Sequence, residues 1–279
     1  MNDNKRPNNQ EQHHQEQNAT QNFFSRSKRR HENAHSVRDN QPRYASLPAV
    51  HPSTIPVITV VLSLIWWLKP IVSGTLGSQL HFEQIWPLLA YSLFCSAAIG
   101  YLVASRFEHK DWRLYACLLG STLVLFSSSL RMRFEVLALL FLFLLVLALL
   151  PLNLVQLKNG IGLIALSTLV TFTVPVCIAF LGHNYVDQAF LKSSWDLFYG
   201  SLFYLTPLFL PKAAGRLMGL VTGALYLSHL LFFHAFGPGV CFSLVLALGI
   251  YTLSFIRPLT YRYQPIAAVI GLFLSVLAL

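Results

Sequence analysis

Two groups of residues in this sequence have the types and spacing for chemistry. The first is Arg131 and Arg133, which stand with Glu135 in a short break between two apolar runs. Guanidinium forks match phosphate oxygens, which makes both arginines candidate substrate-binding residues for a phosphorylated, lipid-linked group; in the plainer reading they snorkel to headgroups. His183 and Asp187 lie in another break, four residues apart, and share a face if that segment is helical. An imidazole and a carboxylate within reach of two arginines are the minimum for acid or base work, so this pair is the candidate catalytic one. His81, Glu83 and Asp196 are further polar residues on the same side of the topology derived below.

The second group sits inside an apolar run, residues 215–234. Gly215, Gly219 and Gly223 recur every fourth residue and form a groove on one helix face where another backbone can approach. Thr222, Tyr226 and His229 recur at i, i+4 and i+7 and form a polar stripe. A histidine in mid-run must bond another helix, line a wet cavity or bind a ligand, so this stripe is a candidate substrate-binding face. His234 is five residues beyond His229, about 140° further around a helix. On that count one helix does not offer both rings to one ligand, and His234 is expected at the interface. Thr171, on a run broken by Pro175, and Tyr204, before Pro207, complete the candidate set. Proline-interrupted helices with hydroxyls recur around the midplane sites of transporters.

Other chemistries find no foothold. The sequence has no G-x-S-x-G, no H-E-x-x-H, no P-loop and no dinucleotide fingerprint. Cys95, Cys117, Cys177 and Cys241 lie in apolar runs without C-x-x-C spacing and read as small core residues. No metal and no cofactor is expected.

What positions these residues is a solvent argument. Hydrophobic residues make up 54% of the 279 and charged ones 11%, against roughly 25% in a soluble domain. A spanning helix needs about 20 apolar residues. Runs at 55–71, 85–105, 114–130, 136–154, 161–181, 197–210, 217–236, 240–256 and 266–279 give nine candidates; two are short, so eight is the alternative. The expected fold is an all-α polytopic membrane helix bundle of eight or nine transmembrane helices, residues 51–279. Continuous rather than alternating runs exclude a β-barrel. All six acidic residues beyond position 50, Asp196 among them, fall in breaks, so none is expected to be buried.

Residues 1–50, rich in Asn, Gln, His and Arg, are expected to be a disordered basic tail. Eight of the 20 Lys and Arg are there. Arg106, Lys110, Arg113, Lys158, Lys212, Arg216, Arg257 and Arg262 share the tail's side of the bilayer; only Lys69, Arg131, Arg133 and Lys192 are opposite. That bias places the amino terminus in the cytoplasm of a cell whose inner or plasma membrane holds the chain. The net charge of +9 then points to anionic lipid headgroups, not to nucleic acid.

Three functions fit. One is a carrier or permease component for a small or lipid-like solute, its cavity lined by Thr171, Tyr204, Thr222, Tyr226 and His229. Another is an envelope enzyme acting on a lipid-linked phosphorylated substrate at the outer face, with Arg131 and Arg133 on phosphate. The third is a non-catalytic scaffold that meets other membrane subunits. The lack of mid-span carboxylates weighs against a proton-coupled carrier.

Overall fold

The computed structural model describes residues 50–72, 82–105, 107, 111–127, 130, 133–152, 159–183, 185–210, 213–256 and 262–279. The expected tail, residues 1–50, and Arg131 lie outside them but for Val50. Among the described residues the chain is all-helical and has no strand. In chain order the helices are α1 (Thr54–Val72), α2 (Phe82–Ala104), α3 (Trp112–Leu125), α4 (Phe134–Leu149), α5 (Gly160–His183), α6 (Gln188–Phe209), α7 (Ala213–Phe233), α8 (Pro238–Tyr251) and α9 (Gln264–Ala278). A π-helical turn, Thr252–Ile256, extends α8.

Local sequence explains several starts. Asp111 caps α3 by accepting a hydrogen bond from the Arg113 amide at 3.1 Å, and the Asn159 side chain does the same for Gly162 of α5 at 3.0 Å. Gly237 followed by Pro238 opens α8, where a missing proline N–H costs nothing. Three helices hold segments long and apolar enough to cross a membrane: Ile85–Ala104, Gly160–Gly182 and Gly215–Phe233. Five shorter apolar segments accompany them. With 22 residues α6 is long enough, but Lys192, Asp196 and its hydroxyl residues make it less apolar. It also starts nine residues before the expected run at 197, because Asp187 occupies the N-cap position and the helix is already under way at Lys192.

The helices pack mostly with their chain neighbours, and one of the remaining contacts, α1 on α9, ties the two ends together. α1 lies against α2, α5 and α9, while α6 lies against α5, α7 and α9. At the same end, the His51 ring stacks on Tyr263 with centroids 5.6 Å apart. One core cluster gathers around Trp66, Tyr91 and Phe143, and a second around Tyr204, Tyr226 and Leu272.

Polar side chains serve as interhelical glue. Trp66 Nε1 donates to the Val170 carbonyl at 2.6 Å, joining α1 to α5, and the Tyr91 hydroxyl donates to Leu140 O at 2.7 Å, joining α2 to α4. In apolar surroundings a lost bond of this kind costs about 1–2 kcal/mol. Tyr91→Phe removes the bond and keeps the ring. It is expected to lower unfolding stability in detergent micelles by about that amount; an unchanged midpoint would show that the bond contributes nothing.

The glycine stripe packs inside the chain. A Cβ on Gly215 would run into the Leu210 carbonyl oxygen, and one on Gly223 would stand 3.2 Å from the Phe203 ring. At Gly215 the approaching atoms are the Leu210 backbone just beyond the end of α6, and at Gly223 they are the Phe203 side chain of α6. Beside this contact α7 leaves a lateral groove of about 530 Å³ against α8, lined by residues including Phe203, Gly219, Gly223, Leu244 and Leu248.

Candidate functional site

α6 and α7 are antiparallel neighbours. Thr206 meets Thr222 toward one end, with hydroxyl oxygens 3.2 Å apart, and Asp196 meets His229 toward the other. At that second end the side chains converge. His229 Nε2 and His234 Nε2 each lie 2.8 Å from the same oxygen, Asp196 Oδ1. The Asp196 and His229 side chains are each only 5% exposed, whereas His234 is 25% exposed. One carboxylate and two imidazoles thus share a buried pocket with an edge open beside His234.

The imidazole of His229 packs against two aromatic rings. The Tyr199 ring, one turn along α6 from Asp196, lies 4.6 Å from it between centroids, and Phe233, one turn along α7, lies 4.9 Å away. Trp195 and Phe198 continue the aromatic packing along α6, with centroids 5.5 Å apart. Aromatic walls of this kind fix ring orientation and keep most water out.

Two expectations are corrected here. Asp196 is buried, at 4% exposure, within a helix rather than in an outer break, because α6 begins upstream of it. The angular argument against His229 and His234 sharing a partner also does not hold. It counted directions of Cα–Cβ bonds, and a partner midway between two directions about 140° apart is about 70° from each. Two side-chain torsions let an imidazole swing that far, and Asp196 comes in between them from α6. His234 also sits one residue beyond the end of α7.

The other candidates are dispersed. Thr171 Oγ1 lies 3.4 Å from Ser201 Oγ, between α5 and α6. The Tyr204 hydroxyl meets Ser275 Oγ at 2.6 Å, between α6 and α9. Thr222 bonds the Met218 carbonyl at 2.9 Å as well as meeting Thr206, and the Tyr226 ring stacks on Phe203 at 5.9 Å. These four are buried at helix contacts. Arg133 is the N-cap residue of α4, and its guanidinium lies 5.3 Å from the centre of the Phe180 ring on α5. Asp187 is exposed at the start of α6. His183 ends α5, and its side chain, like Arg131, is outside the described residues.

His234 and Asp196 were not singled out as a site from sequence. A signal for Asp196 was present: with Asp187 taken as an N-cap, Phe190, Ser194, Leu197 and Ser201 form a buried stripe at helical spacing, and Asp196 falls inside that helix. Compared with family models, with curated proteins and with solved structures, the chain matches none.

Proposed function

We propose that this chain is a multi-pass protein of a cell's inner or plasma membrane, with eight or nine spans, and that it is an enzyme acting on a lipid-borne substrate. Its working centre is Asp196, His229 and His234. The observation that carries this reading is the convergence of both imidazoles on one buried carboxylate oxygen, at 2.8 Å each. A buried carboxylate in an apolar bundle is costly, and such groups mark function. Two adjoining imidazoles offer donors and lone pairs at neutral pH, which suits hydrolysis or group transfer on an ester, amide or phosphoester.

The substrate class follows from the surroundings. Phe232 and Phe236, beside His234 in sequence, are 85% and 76% exposed. A rim of that composition belongs against acyl chains, so a substrate reaching the open edge beside His234 is amphiphilic. The bias of Lys and Arg puts this end of the bundle on the face opposite the tail, which is cytoplasmic and meets anionic headgroups. Spans beyond α2, α5 and α7 come from the other helices. At 1.5 Å per residue, 14 to 16 residues cover about 21–24 Å, and the π turn of α8 adds to its reach.

The carrier reading for a small or lipid-like solute stands second, favoured by the lateral groove between α7 and α8. The scaffold reading rests on the glycine stripe, of which Gly215 packs against Leu210 while Gly219 and Gly223 line the lateral groove.

Incubating the purified protein with a total membrane lipid extract, and comparing products by mass spectrometry, separates these readings. Turnover by the wild type with a loss of at least about 100-fold in Asp196→Asn is expected, as for removal of a group at the reaction centre. Turnover that survives the substitution would sink the assignment of this centre.

A further inference from the structure

The structure assigns a divalent metal site, zinc by ligand type, to Asp196 Oδ1, His229 Nε2 and His234 Nε2. It deepens the reading of this centre as the working one. The three donor atoms lie within 4.8 Å of one another. Zinc takes imidazole nitrogen and carboxylate oxygen at about 2.0–2.2 Å, so tetrahedral ligands stand about 3.3 Å apart. The two nitrogen–oxygen separations, 2.8 Å each, need to open by about half an ångström to admit the ion. The two imidazole nitrogens, within 4.8 Å of each other, must also settle at about that tetrahedral spacing.

A His Nε2 that donates to Oδ1 in the metal-free protein would present a lone pair to the ion instead, with the ring proton on Nδ1.

Ligand chemistry narrows the metal. Calcium and magnesium require six or more oxygen ligands, which this set does not supply. Two imidazoles and one carboxylate suit zinc, as they do ferrous iron, and three protein ligands with an open position are the catalytic form of zinc. The edge beside His234, whose side chain is 25% exposed, would give water access to such an ion. Zinc held by these three residues would supply an activated water, the chemistry that the hydrolytic reading of this centre requires. The aromatic walls around His229 hold that ring in place before the ion arrives.

The full chain, purified in detergent micelles, stripped with chelator and titrated with zinc alone, tests this. About one zinc ion per chain is expected to remain after gel filtration. Asp196→Asn and His234→Gln are expected to weaken binding by on the order of 100-fold or more, since each removes a ligand, and even outer-shell changes cost 10–100-fold. His234→Gln sits at the partly exposed helix end and keeps the fold, which elution volume and unfolding midpoint verify. The tail carries His13, His14, His31 and His35, so a variant with all four replaced by Ala is the control. It is expected to bind as the wild type does.

A folded wild type that retains no zinc overturns the site. So does zinc that disappears in the tail variant and persists in Asp196→Asn. Lipid turnover depending on Asp196 yet untouched by metal stripping would overturn the zinc and leave the enzymatic reading standing. Zinc bound at these residues without any lipid turnover would do the reverse.

Discussion

Asp196→Ala is expected to cost about 2–5 kcal/mol of unfolding free energy in detergent micelles, among the largest effects of any single substitution in this chain. The residue supplies the oxygen that both histidine rings reach, and a methyl group leaves two imidazole N–H groups without it. Water replaces it more readily at His234; His229, at 5% side-chain exposure, packs against Tyr199 and Phe233. Most of the loss therefore falls on His229. Asp196→Asn keeps one accepting oxygen and is expected to lose about 1–2 kcal/mol. A double-mutant cycle adds the sharper check. With His229→Leu already in place the donor is gone, so Asp196→Ala is expected to cost less than it does alone, by at least about 1 kcal/mol. Strict additivity would mean that the two side chains do not depend on each other.

Gly215→Ala is the second large effect, and it acts through sterics alone. The new Cβ would collide with the carbonyl oxygen of Leu210 and lie 2.9 Å from its carbonyl carbon. Both are backbone atoms, which cannot rotate away as a side-chain tip can. The connection between α6 and α7 must shift, at a cost of about 1–3 kcal/mol or more. The shift also pulls on the register that brings Asp196 to His229. Gly249→Ala on α8 is the control, because a Cβ there meets nothing within 4 Å. Alanine's better helix propensity predicts no loss at that position and a gain of up to about 1 kcal/mol. Thermal unfolding in one detergent decides the matter: equal midpoints for the two variants would show that the Leu210 contact exerts no constraint.

How much of this was legible in the sequence depends on what each signal measures. Apolar runs report solvent preference over many residues. All nine runs accordingly coincide with helices, and boundaries for α1, α2 and α5 fall within about three residues of the composition reading. The centre was harder to see, since charge interrupts the hydropathy that defines a run. Lys192 and Asp196 looked like loop residues for that reason, although α6 carries them both. His229 stood out because nothing polar surrounds it in the chain. Its partner did not, because Asp196 lies 33 residues earlier and only the antiparallel packing of α6 on α7 brings them together. Hydroxyl residues on α5, α6 and α7 looked like cavity lining, and periodicity does not separate that from helix contacts. Tyr204 on Ser275 and Thr206 on Thr222 are contacts of the latter sort.

The seating of α1 against α9, with His51 stacked on Tyr263, has a consequence for biogenesis. Translation runs at about 5–20 residues per second, so roughly 10–40 seconds separate the emergence of these two helices from the ribosome. In the membrane-inserted chain proposed above, the flank of α1 is lined throughout that interval by lipid or by the insertion machinery. A nascent chain arrested before Gln264 would keep that flank open, and quality-control proteases are expected to clear it faster than the finished polypeptide.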